Sequence, residues 1–181
     1  MLVAFDSSFL IPLFNARYGD RGALNPRIAY LISTLDRAKA TIVIPTPALS
    51  ELLIGAGEAA PRYLKIISMS ARFRVASFEM RAAVEVAEIH RHAIGRGDKK
   101  EGLPSWAKVK HDRQILAVAL IENATRLYSD DGDLKSLAIG SPIEVLAIED
   151  LPEPPFGPAE PPVSVQTRSL FDPPEDEDTA D

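Results

Sequence analysis

Short apolar, β-branched runs alternate with segments of helical periodicity along roughly the first 150 residues, a rhythm that fits a parallel sheet covered by helices on both faces. Leu2-Val3-Ala4-Phe5 is the first such run, and it stops at Asp6-Ser7-Ser8, a turn-and-cap signal before the apolar Phe9-Leu10-Ile11 and Leu13-Phe14. Ile28, Leu31, Ile32 and Leu35 then recur at helical spacing after Pro26. Thr41-Ile42-Val43-Ile44 is β-branched throughout, as a strand buried on both faces should be, and it ends at Pro45. Thr46 reads as the N-cap of the next helix with Pro47 at its first position. Further helices are predicted over 61–73, 79–94 (with Val84, Ala87 and Ile89 inward) and about 109–123. Strands are predicted at 74–78, 126–128 and 143–146, and a short helix over 134–137. The strand Arg126-Leu127-Tyr128 again runs into acid, Ser129-Asp130-Asp131-Gly132-Asp133.

The carboxyl ends of parallel strands and the amino ends of the helices that follow them share one rim, where ligands bind. Asp6, Glu51, Asp112 (placed in the first turn of its helix), Asp131 and Asp133 are therefore expected to converge although they are far apart in the chain. Each taken alone also reads as a cap, a turn former or a solvated charge, and Asp130 is expected to face solvent. Their joint placement is what points to a site. Two carboxylates about 4 Å apart repel by ~4 kcal/mol at an effective dielectric near 20. Such a group needs either protons or a cation, and an all-oxygen set suits magnesium or manganese. The count of zero Cys removes thiol catalysis, disulfides and Cys-ligated metal. A hard divalent ion can make hydroxide from a bound water and clamp a phosphate oxygen.

These residues resemble the PIN-domain nucleases, and among them the VapC-type toxin ribonucleases of bacterial toxin–antitoxin pairs. The resemblance rests on Asp6-Ser7 at the first strand end, Leu49-Ser50-Glu51-Leu52, Lys110-His111-Asp112-Arg113-Gln114-Ile115 with Ala117 and Ala119, and Ser129-Asp130-Asp131-Gly132-Asp133-Leu134. It implies a three-layer α/β fold with a mostly parallel central sheet. It also implies that Asp6, Glu51, Asp112 and Asp131 are catalytic metal-binding carboxylates, with Asp133 a frequent fifth member and Ser7 and Ser129 supporting hydroxyls. The implied reaction is RNA hydrolysis by a metal-activated water, with Mg2+ or Mn2+ as cofactor. The implied partners are RNA, a cognate antitoxin and a second copy of the chain.

Two features lie outside that pattern. Residues 152–181 hold eight of the 15 prolines and eight acids against Arg168 alone, a net of −7, so the other 151 residues come to +1 of the chain's −6. The nuclease domain is accordingly placed at 1–150, and 151–181 is expected to be a disordered, proline-rich acidic tail. An anionic substrate is not excluded by the near-neutral body. The second feature is a basic, glycine-punctuated stretch that contains all three histidines and the only tryptophan. Arg91, Lys99, Lys100, Trp106, Lys110 and Arg113 read either as a track for single-stranded RNA or as a solvated loop with Trp106 packed on the body. His90 and His92, two apart, would face different sides of a helix and are expected at the surface.

No run approaches the about 18 apolar residues of a membrane span, and Met1 to Asp6 show no basic leader, which makes a soluble cytoplasmic protein the expectation. A rival of another class is an inactive PIN module that binds RNA or a partner protein. An aspartyl phosphatase would want a second Asp two residues after Asp6, where Ser8 stands, and a phosphorylated receiver would want paired acids after the first strand. A dinucleotide site would need a glycine-rich first turn, which Asp6-Ser7-Ser8 lacks.

Overall fold

The structure is a computed structural model that describes residues 1–18, 23–95 and 106–155. Among them, five strands form one sheet: β1 (Leu2–Phe5), β2 (Thr41–Pro45), β3 (Phe73–Ala76), β4 (Arg126–Tyr128) and β5 (Glu144–Leu146). The order is β3-β2-β1-β4-β5 and every pairing is parallel, so no antiparallel strand interrupts the sheet. The helices are α1 (Ser7–Tyr18), α2 (Pro26–Arg37), α3 (Thr46–Ala56), α4 (Ala60–Met69), α5 (Met80–Gly95), α6 (Trp106–Ile121) and α7 (Gly132–Leu137). Because the strand order reverses at β1, crossovers run in both directions from it, and right-handed connections then put helices on both faces. α1 packs on α3, α5 on α6 and α6 on α7. None of the helices described is long and apolar enough to cross a membrane.

β1 is the middle of the sheet because its side chains leave no polar surface to expose: Val3, Ala4 and Phe5 are fully buried, as are Ile42, Val43 and Ile44 of β2. The outer β3 is half-wet instead, with Arg74 and Val75 exposed between Phe73 and Ala76. Both strands that flank β1 are launched by the same device. Lys39 and Asn123 take positive φ of 50° and 58°. After α2, Ala40 N–H donates to Leu35 O at 2.9 Å, and after α6, Ala124 N–H donates to Ala119 O at 3.0 Å, the six-to-one bond that closes a helix and turns the chain into a strand.

Several boundaries differ from those expected. Thr46 lies inside α3 rather than capping it, with Pro45 at the cap, and its Oγ1 instead accepts from Phe78 N–H at 3.1 Å. α4 ends at Met69, and β3 begins at Phe73. α6 starts at Trp106, so Asp112 stands in its second turn, not its first. On α5 the inward residues are Ala82, Val86 and Ile89, whereas Val84 (58% exposed) and Ala87 face outward; the inward positions sit four and three apart, which a single apolar stripe on a helix requires. The packed body also runs past residue 150. Leu151 is buried in the core, held there by Arg27, whose guanidinium donates to Leu151 O and Glu149 O and pairs with Glu153 at 2.8 Å. The tail beyond 155, together with Lys99 and Lys100, lies outside the described residues.

Candidate active site

The crevice follows from the strand order. Asp6 N–H donates to Tyr128 O and Ser129 N–H to Leu146 O, both at 3.0 Å, so the ladder continues one residue past the ends of β1 and β4 and sets Asp6 beside Ser129. This is the switch point, where neighbouring crossovers diverge and leave a gap at the carboxyl edge of the sheet. An open pocket of about 300 Å³ occupies it, lined by Asp6, Ser7, Ser8, Glu51, Lys108, Asp112, Asp130 and Asp131.

Three hydroxyls fix Asp6, which is 5% exposed. Ser129 Oγ donates to Asp6 Oδ2 at 2.8 Å and Ser8 Oγ to the same oxygen at 3.0 Å, while Ser7 Oγ lies 3.3 Å from Oδ1. Two of these serines also reach the opposite wall, since Asp130 N–H donates to Ser8 Oγ at 2.9 Å and Asp131 N–H to Ser129 Oγ at 3.2 Å. Asp130 itself is exposed and accepts from Ile148 N–H at 3.1 Å, a structural role outside the pocket floor. Glu51 arrives from α3, with Ser7 Oγ donating to its Oε2 and His111 Nε2 at 3.0 Å from its Oε1.

Asp131 caps α7, where its side chain accepts from Asp133 N–H at 2.8 Å. Oxygens of Asp112, Asp131 and Asp133 all lie within 4.8 Å of one another, the tightest acidic group among the described residues; Asp6 and Glu51 line the pocket outside that triad. Lys108 stands four residues before Asp112 on α6, hence on the same face, and its Nζ is 2.8 Å from both Asp131 Oδ2 and Asp133 Oδ2.

The electrostatics divide the acids. Burial, and next the charge of Asp131, push the Asp112 carboxyl up to about 7 against the opposing pull of Lys108. Its Oδ2 is buried and has no hydrogen-bond partner. For Asp131, burial works upward, but the hydrogen bonds from Lys108 and from the N–H groups of Asp133 and Leu134 outweigh it and hold the carboxyl below its ordinary value. Hydrogen bonds to the Asp131 and Asp133 carboxylates hold the Lys108 ammonium above its ordinary value in turn. A buried carboxylate oxygen left without a donor, facing two more carboxylates, is the arrangement that a hard divalent cation completes. The donor set therefore fits magnesium or manganese.

The basic stretch is less uniform than its composition suggests. Arg113 is 7% exposed with Nη1 against His90 Nδ1, which takes it out of any surface track. His90 is half-buried and not at the surface as expected, whereas His92 is exposed. Lys110 is exposed, Arg91 is exposed and paired with Glu88, and Trp106 begins α6. Lys108 and Ser8 line the pocket and His111 stands beside Glu51, although none of the three was named as a site residue from the sequence. For Lys108 the signal was present in its four-residue spacing from Asp112; for His111 and Ser8 it was only adjacency to an acid.

A PIN domain model matches residues 3–140, which takes in every acid of the pocket. The chain belongs to the PIN-domain family. No curated protein matches it. Among solved structures, it is similar to VapBC2 from Rickettsia felis bound to a DNA fragment from their promoter, at 16% identity over 81% of this chain and 98% of that one, with a TM-score of 0.56. VapBC-1 from nontypeable Haemophilus influenzae is similar at 17% identity over 82% and 99%, TM-score 0.58. DNA-bound VapBC from Salmonella typhimurium is similar at 16% over 82% and 99%, TM-score 0.53. At such identities the likeness is one of fold.

Proposed function

We propose that the chain is a divalent-metal-dependent endoribonuclease that hydrolyses RNA phosphodiester bonds, with Asp6, Glu51, Asp112 and Asp131 as its catalytic carboxylates and Asp133 as a further metal contact. Membership of the PIN-domain family supports a nuclease. The observation that carries the metal-dependent reading is the partnerless, buried Oδ2 of Asp112, a residue whose carboxylate lies within 4.8 Å of those of Asp131 and Asp133.

Mg2+ or Mn2+ bound there would supply a Lewis acid and a water of lowered pKa. The protein does the rest. Asp112, Asp131 and Asp133 would hold the ion. Asp6 is locked by Ser129, Ser8 and Ser7 so that its carboxylate does not rotate away from the pocket. Glu51, steadied by Ser7, closes the α3 side, where it can accept a proton from a water attacking phosphorus. No side-chain nucleophile is required, and no Cys exists to serve as one.

The similar solved structures are VapBC complexes. On that ground we assign the chain a toxin role with an antitoxin protein as partner; a homodimer is assigned from the family resemblance alone. The nuclease domain is read as ending at Leu151, with the acidic remainder a solubilising extension.

The test is cleavage of single-stranded RNA with Mg2+ or Mn2+, using EDTA and Asp6→Asn as controls and circular dichroism to verify the fold. Metal-dependent cleavage lost in Asp6→Asn supports the proposal. A folded wild-type chain that binds RNA and cleaves none under either metal would instead make it a binding module.

A further inference from the structure

Lys108 has no part in the scheme above, yet its ammonium sits in the middle of the site. Its two contacts at 2.8 Å, to Asp131 Oδ2 and Asp133 Oδ2, engage two of the three residues of the acidic triad that Asp112 completes. Two facts mark it as a replaceable occupant. It leaves the third acid unserved, because Asp112 Oδ2 remains buried without a donor while the ammonium bonds the other two. It is also reachable: the Lys108 side chain is 41% exposed and those of Asp131 and Asp133 are 24% and 35% exposed, so a solvated path leads out along the rim. An ammonium is a compact point charge on a flexible four-carbon stem, which lets it leave without disturbing the helix that carries it.

We infer that Lys108 is the resident counter-ion of the acidic pocket: its ammonium fills the space between Asp131 and Asp133 in the metal-free chain, and a divalent cation enters by displacing it. The inference rests on the metal-binding reading of the site. A single positive charge bonds two of three carboxylates, whereas one divalent ion can contact all three and carries twice the charge. The two compete for the place, since both draw on the Asp131 and Asp133 carboxylates and like charges would meet at close distance. Lys108 thus keeps the acids together when no metal is present and lowers the affinity with which metal binds.

The experiment uses the full chain, stripped with EDTA and dialysed, in wild-type, Lys108→Gln and Lys108→Arg forms. Mn2+ binding is followed by the electron paramagnetic resonance signal of the free ion, and melting temperature is measured with EDTA and with saturating Mn2+. Two half-exposed ion pairs are each worth a few tenths to one kcal/mol, so their removal should tighten Mn2+ binding roughly tenfold in Lys108→Gln. Lys108→Arg, which keeps the charge, should bind close to wild type. In EDTA the Gln variant should melt below wild type, and saturating Mn2+ should close that gap. Equal or weaker Mn2+ binding by Lys108→Gln, or an Arg variant that behaves like the Gln variant, overturns the counter-ion role while leaving the metal site standing. If none of the three forms binds Mn2+, the metal reading itself falls and this inference falls with it.

Discussion

Asp112→Asn is expected to stabilise the metal-free chain, and to do so increasingly as pH rises from about 4 to about 7. Burial and the neighbouring Asp131 raise the Asp112 carboxyl from 3.8 to about 7. Each pKa unit separating folded and unfolded states corresponds to about 1.4 kcal/mol, so holding Asp112 ionised in the fold costs ~4 kcal/mol once the pH exceeds about 7. The sign follows from proton binding. The folded chain holds this proton more tightly than the unfolded chain, so between about pH 4 and pH 7 rising pH removes stability. Asparagine keeps the shape and carries no charge, so the cost disappears. At pH 8 in EDTA the variant should be more stable by ~4 kcal/mol, roughly 10 °C in melting temperature for a domain of this size, and at pH 4.5 the gap should shrink to about 1 kcal/mol. Thermal unfolding followed by circular dichroism at pH 4.5, 6 and 8 measures it. An asparagine variant that melts with or below wild type at pH 8, or a gap that does not vary with pH, would refute the claim that an ionised Asp112 is an electrostatic burden on the empty site.

The same proton competes with metal. Apparent Mn2+ affinity, read by calorimetry, should fall by up to tenfold for each pH unit below about 7; a flat profile from pH 5.5 to 7 would contradict it. Ser129→Ala removes a buried hydroxyl that donates to Asp6 at 2.8 Å and accepts from Asp131 N–H, and should cost about 2 kcal/mol in urea unfolding as well as lowering cleavage. Leu116→Ala, at a fully buried position of α6, should cost 2–5 kcal/mol (about 3 at the centre of that range) without altering RNA cleavage per folded molecule. Arg27→Ala should free the segment after β5, detectable as faster proteolysis beyond residue 147, because Arg27 bonds both Leu151 O and Glu149 O from α2.

The sheet was legible because its evidence is local and repeated. An uninterrupted β-branched run such as Thr41–Ile44 has few alternatives, and the right-handed crossover rule supplies the rest once the runs are counted. The α5 face was misjudged for an equally local reason. Along Met80–Gly95 apolar residues are found on more than one side, and choosing Val84 and Ala87 over Ala82 and Val86 requires knowing that α6 is the neighbour. Sequence spacing ranks faces by hydrophobicity, whereas packing ranks them by what lies opposite.

The acids of the pocket were legible at the level of position because strand ends and helix starts are read directly from the chain. Their individual states were not. Asp112 and Asp131 are separated in behaviour by one flexible side chain, Lys108, which bonds Asp131 and leaves Asp112 to burial. That choice depends on how far an ammonium reaches from α6 to the first turn of α7, a distance set by the packing of two helices joined through β4. Arg113 shows the same dependence in the other direction. One residue after Asp112 on the helix, it is turned by about 100° towards α5, where His90 meets it and the core closes over it. Two cations within five residues of one another thus end in opposite environments, one in the pocket and one in the helix interface. The helical repeat of α6 decides which, and composition alone treats them as a single basic stretch.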